Sequence, residues 1–199
     1  MKNQARLTAH QKRLLSELQE IASLTRLNYP DITEYDPDER TGRLQFMKNQ
    51  LIRSQVIMDY TFVDEMLGAD ICHYFFGKKA KFHQLWKTKK FRIFNYHILE
   101  VLSLTEKLRL VKAISNMPKS VGGNIEHLNA LRNGLAHAFF PENLRSFKPI
   151  YKGKSIFTVE GLAVFIDDMR QVSDYFLHRN FGIKAQEEGN SVAKMPNES

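Results

Sequence analysis

The chain has 199 residues and is 43% hydrophobic, 26% charged and 11% aromatic, the composition of a folded globular domain and not of a disordered or fibrous chain. A formal charge of +7 and a pI of about 9.4 favour a polyanionic partner, because clustered Lys and Arg release counterions from a phosphate backbone. Cys72 is the only cysteine, which excludes an internal disulfide and a multi-thiolate zinc site and fits a reducing compartment.

The first residues, MKNQARLTAHQKRLLSELQE, lack the apolar core of a signal peptide, and no stretch reaches ~18 uncharged apolar residues. A cytoplasmic address without a membrane partner is the expectation. Arg6 to Leu27 places Leu7, Leu14, Leu15, Leu18, Ile21 and Leu24 at helical spacing and predicts a first helix. Asn28 to Thr41, with two prolines and the acidic run Asp36, Asp38, Glu39, reads as a loop. Arg43 to about Leu67 predicts a long core helix, with Leu44, Met47, Leu51, Ile52, Gln55, Met58, Phe62 and Met66 stepping by threes and fours.

The stretch from Gly68 to Lys90 mixes aromatics with lysines and is less regular. Helix resumes near Phe91 and runs through Leu102. Ser103 and Glu106 then have the spacing of a capping box opening a helix to about Asn116. Pro118, Gly122 and Gly123 break the pattern, and Asn124 is the expected N-cap of the next helix, which Pro141 ends. Phe147 to Tyr151 and Ser155 to Phe157 flank "KGK", a short hairpin with Gly153 in its turn. Thr158 caps a last helix from Val159 to about Leu177. The expected fold is an all-α antiparallel bundle with a short β-hairpin before the last helix. It divides into residues 1–41 (helix and loop), 42–182 (helical domain) and 183–199 (disordered tail).

One segment resists a reading as packing alone. In "LRNGLAHAFFP", Leu131 to Pro141, an arginine, an asparagine and a histidine interrupt a small-residue apolar helix. At ~100° per residue, Asn124, Leu128, Leu131 and Leu135 share one side, and Glu126, Ala130, Asn133 and His137 share the other with Gly134 beside them. Small residues on that second stripe let another backbone approach closely. Arg132 and His137 project about 140° apart on an ideal helix, so they converge only if the helix loosens or a second copy brings its own pair across a shared cleft.

These residues resemble the HEPN superfamily (higher eukaryotes and prokaryotes nucleotide-binding). Its hallmark is an Arg followed after four to six residues by a His, commonly with a polar residue directly after the Arg. Arg132, Asn133 and His137 match those places, and the resemblance spans about Arg43 to Arg179. It implies a helical homodimer in which many members are metal-independent endoribonucleases, often toxins held by an antitoxin or effectors of phage defence. Other members are non-catalytic modules that bind RNA, a nucleotide or a partner protein.

RNA carries its own nucleophile, the 2′-hydroxyl, so cleavage needs proton transfer and charge stabilisation. His137 suits the first task and Arg132, with its planar fork of donors, the second; Asn133 fits a contact to the ring or to phosphate. The ordinary reading of the same residues is a helix-end Arg and His interacting with carboxylates and the dipole. Lys87, Lys89, Lys90 and Arg92, interleaved with Trp86 and Phe91, are candidate RNA contacts, or else solvated bases on a connector whose aromatics pack inward. His10, His73, His83, His97, His127 and His178 show no ligand spacing, so no metal and no cofactor is assigned. Asp64, Glu65 and Asp70 read as a solvated acidic group near the end of a helix.

Overall fold

Two apolar stripes at helical spacing run along the first described helix, α1 (Pro37–Phe76). The computed structural model of the protein describes residues 37–77, 82–136 and 149–182. They fall into two units, 1–56 and 57–199, and α1 contributes to each. In the first unit Met47, Ile52 and Val56 are buried while Leu44 and Leu51 are exposed. In the second, Val63, Leu67, Ile71 and Cys72 are buried and Met58 is 67% exposed. Of the expected positions, Met47 and Ile52 are buried, Phe62 and Met66 are half-buried, and Leu44, Leu51, Gln55 and Met58 are exposed. Periodicity identifies a helix but cannot say which of two adjacent stripes meets the core.

α1 is also longer than the expected Arg43 to Leu67. Pro37 has no N–H to leave unpaired at a first turn, and Glu39 falls where negative charge is favoured, so the expected loop is already helical from residue 37. At the other end Gly77 (φ +89°) stops the helix, its N–H donating to the His73 carbonyl at 3.0 Å.

A short helix, α2 (Phe82–Leu85), leads to Thr88, whose hydroxyl accepts from the Phe91 N–H and caps α3 (Lys89–Phe94). α3 passes directly into a π-helical turn, Asn95–Leu99, closed by the Glu100 N–H on the Asn95 carbonyl at 2.9 Å. Ser103 and Glu106 form the expected capping box of α4 (Leu104–Ile114). α5 spans Lys119–Ala136 and contains both glycines that were expected to break it, with Asn124 buried inside the helix instead of capping it. A Cβ at Gly122 would lie 2.7 Å from Cε of Lys112, the flexible end of a side chain that crosses from α4 to meet Glu126 at 2.6 Å.

The hairpin pairs β1 (Ile150–Tyr151) with β2 (Lys154–Ser155) in antiparallel register, Ile150 opposite Ser155 and Tyr151 opposite Lys154. Lys152 (φ 45°) and Gly153 (φ 83°) make the two-residue turn. Thr158 then caps α6 (Val159–Phe181), which ends at Gly182. A Cβ at Gly161 would collide with the Ser155 carbonyl, so this glycine lets the hairpin lie against the start of α6. Tyr151, 1% exposed, packs edge-on to Phe165, and Lys152 reaches Asp168 at 2.7 Å. Burial first, and then the Asp168 carboxylate, push the Tyr151 hydroxyl far above the ordinary tyrosine range.

α5 packs against both α4 and α6, and the hairpin rests on α6 and α5. Leu128, Leu131 and Leu135 of α5 and Phe165, Val172 and Phe176 of α6 are all nearly inaccessible. The result is the all-α bundle with a short hairpin before its last helix. Among the described residues no helix is long and apolar enough to cross a membrane. The segment Arg6 to Leu27, His137, and residues 183–199 lie outside the described residues.

Candidate functional site

The core stripe of α5 decides how its polar residues are presented. Arg132 lies ~40° from Leu128 around the helix and is half-buried, whereas Asn133 is turned outward and exposed. The Arg132 guanidinium stacks on the ring of Tyr60 of α1, 4.7 Å from its centre. Its Nη1 donates to Asn133 Oδ1 at 3.0 Å. Among the described residues no carboxylate pairs with Arg132. It is therefore a held cation with donors to spare.

Of the three motif residues, Arg132 and Asn133 are brought together, and His137 lies outside the described residues. Asn133 uses its carbonyl oxygen to orient Arg132, a role the spacing alone did not suggest. Ala130 is exposed and Gly134 half-buried, so the small-residue stripe reaches the surface; Glu126 on the same side is taken by Lys112.

Tyr60 also lines a groove of about 630 Å³ in the second unit. Trp86, Phe91 and Leu99 supply apolar wall, and Asp64, Glu65 and Lys107 supply charge. Lys107, only 7% exposed, pairs with Asp64 at 2.6 Å. No family model, curated protein or solved structure matches this chain.

Lys87, Lys89, Lys90 and Arg92 are all exposed, and none of them lines the groove. Their neighbouring aromatics divide: Phe91 is buried against Phe76 at 5.3 Å, and Trp86 remains 42% exposed, edge-on to Phe91 at 5.1 Å. Lys90 sits 5.7 Å from the Phe76 ring. The segment is a capped connector whose bases face water and whose tryptophan faces the groove.

Two ion pairs were invisible to sequence reasoning. Asp64 meets Lys107 across 43 positions, and Asp70 meets Arg179 Nε at 2.7 Å across 109. Asp70 is buried, not solvated as expected, with 2% of its side chain exposed. The signal available was a lone carboxylate among Leu67, Ile71 and Cys72, which a buried partner explains. Burial raises the Cys72 thiol to about 11, with the Lys107 charge offsetting part of the rise, so it is a packing residue and not a nucleophile near neutral pH. Among the described residues no three of His, Cys, Asp or Glu are grouped so as to hold a metal ion.

Proposed function

We propose that the protein is a metal-independent endoribonuclease of the HEPN type. The observation that carries this reading is the uncommitted Arg132 guanidinium, laid flat on Tyr60 and fixed by Asn133, five positions before His137. A guanidinium held this way has little rotamer freedom left to lose when it binds phosphate, and among the described residues it has no carboxylate partner to leave. Structural arginines are ordinarily paired, as Arg179 is here.

In this mechanism Arg132 donates to the non-bridging oxygens of the scissile phosphate, most strongly as charge builds in the pentacovalent transition state. His137 accepts the 2′-hydroxyl proton, and the oxygen attacks phosphorus. Protonation of the leaving 5′-oxygen completes the step, giving a 2′,3′-cyclic phosphate and a 5′-hydroxyl. A homodimer built on the Ala130 and Gly134 stripe supplies a second His137 for that protonation, and an antitoxin or other restraint would act by covering the same face. Lys87, Lys89, Lys90 and Arg92 extend the contact to flanking phosphates.

A non-cleaving nucleotide-binding module is the second reading, favoured by the groove beside Tyr60, which a nucleotide can occupy without being cut. RNA cleavage in EDTA by wild type, Arg132→Ala and His137→Ala separates the two. The nuclease reading requires cyclic-phosphate ends from wild type and losses of about 10²–10³ in rate for Arg132→Ala and at least 10² for His137→Ala. Intact RNA with a homogeneous, folded wild type, or full activity in either variant, refutes it.

A further inference from the structure

The groove beside Tyr60 is unsuited to a phosphate backbone. Among the described residues, Asp64, Glu65 and Glu100 line it against a single cation, Lys107, and that cation is already engaged by Asp64. A polyanionic strand is repelled there. The other half of the lining is apolar and includes the broad indole of Trp86, steadied by Phe91. A flat ring carrying N–H donors on one edge satisfies both halves. The volume of about 630 Å³ falls within the ~300–1,000 Å³ of small-ligand sites.

The carboxylates differ in how far they are committed. Asp64 Oδ2 holds Lys107, and Glu100 Oε1 accepts from Asn95 Nδ2 at 2.5 Å. Glu65 is exposed and makes no ion pair or side-chain hydrogen bond among the described residues. Two adjacent acceptor oxygens match two adjacent donors. Among the RNA bases only guanine offers that pair, N1–H beside N2–H; adenine and cytosine set one donor beside an acceptor, and uracil flanks its N–H with two carbonyls.

We propose that this groove is a guanine subsite, in which the base stacks on Trp86 and Glu65 accepts from N1–H and N2–H. The proposal takes its substrate class from the ribonuclease reading and adds what that reading does not contain, a base preference. Tyr60 connects the two places. It lines the groove and its ring carries Arg132, so the guanidinium is one side chain removed from a guanine seated there.

Trp86 is the only tryptophan in the chain, so its emission reports on the groove alone. The 199-residue chain is titrated with the 5′-monophosphates of guanosine, adenosine, cytidine and uridine, which share a phosphate and differ in base. Saturable quenching is expected with GMP, at an affinity about 5- to 150-fold above the other three, the range that one bidentate pair discriminates. Glu65→Gln should bring GMP to the level of AMP while leaving the thermal midpoint unchanged. Arg132→Ala should keep the base ranking whatever it does to cleavage. Equal affinities, no saturable change, a ranking that survives Glu65→Gln, or saturation by spermidine with none of the nucleotides would overturn the subsite. GMP selectivity in a protein that cuts no RNA would instead remove the nuclease reading and leave the subsite standing.

Discussion

Tyr60 offers a graded test of the Arg132 site. A guanidinium over an exposed aromatic face gains about 0.5–1 kcal/mol, and Arg132, 4.7 Å from the ring centre and half-buried, belongs to that class. At an RT of about 0.59 kcal/mol the stacking raises the population of the held guanidinium by a factor of about 2–5. Tyr60→Leu keeps an apolar side chain of comparable bulk and removes the face. Cleavage at saturating RNA should then fall about 2–5-fold, compared with about 10²–10³-fold for Arg132→Ala. Tyr60→Phe keeps the face and should match wild type. The assay is single-turnover cleavage in EDTA, with thermal melts of each variant to separate catalysis from folding. If Tyr60→Phe is as impaired as Tyr60→Leu, or if Tyr60→Leu is unaltered, the ring does not position Arg132 and the reasoning fails.

Two glycines should respond with opposite signs to alanine. Gly161→Ala pushes a methyl group into the Ser155 carbonyl and should cost about 1–3 kcal/mol, whereas Gly123, with nothing within 4 Å of its Cβ position inside a helix, should gain up to about 1 kcal/mol; urea midpoints in the reverse order would contradict the packing of the hairpin on α6. Arg179→Met strands the buried Asp70 carboxylate and should cost about 3 kcal/mol, the low end for a broken buried pair because Asp70 keeps a further interaction. Adding Asp70→Asn should restore most of it, and a single variant as stable as wild type would dismiss the pair as structural. The Ser103 side chain and backbone hydrogen bonds hold the Glu106 carboxyl below its ordinary value, so the capping box stabilises above the usual glutamate range and loses that contribution as pH falls through the lowered value. Glu106→Gln should therefore melt below wild type at neutral pH, with the difference closing in acid; a gap constant with pH would exclude the carboxylate as its source.

What sequence conveyed here was local. The caps at Ser103 and Thr158, the turn at Gly153 and the three-leucine stripe of α5 depend on neighbours a few residues away, and each stands where expected. The errors arose where the deciding partner is distant. Gly122 and Gly123 read as breakers, yet α5 carries both inside a helix packed on α4 and α6, and the expected stripe of α1 mixes buried Met47 and Ile52 with exposed Leu44, Leu51 and Met58. Asp70 reads as solvated until Arg179 arrives from the last helix. At the candidate site, the Arg-Asn pair was legible as a motif, but the Tyr60 ring beneath it, 72 positions earlier, had no signature beyond being aromatic. The groove was not legible at all, since its walls come from α1, the connector bearing Trp86, α3, the π-helical turn, the start of α4 and the end of α6.

The π-helical turn at Asn95–Leu99 fits one more residue into its coil than an α-helical turn would take. That wall of the groove is consequently specified by chain length more than by residue identity. Excising any one residue from Tyr96 to Leu99 would restore ordinary winding and tighten the widened coil, leaving Asn95 and Glu100 four positions apart on one face, with the amide still beside the carboxylate it now holds. Many side-chain exchanges in this turn leave the ridge in place, whereas a chain one residue shorter here would have a smooth cylinder where this protein has a recess.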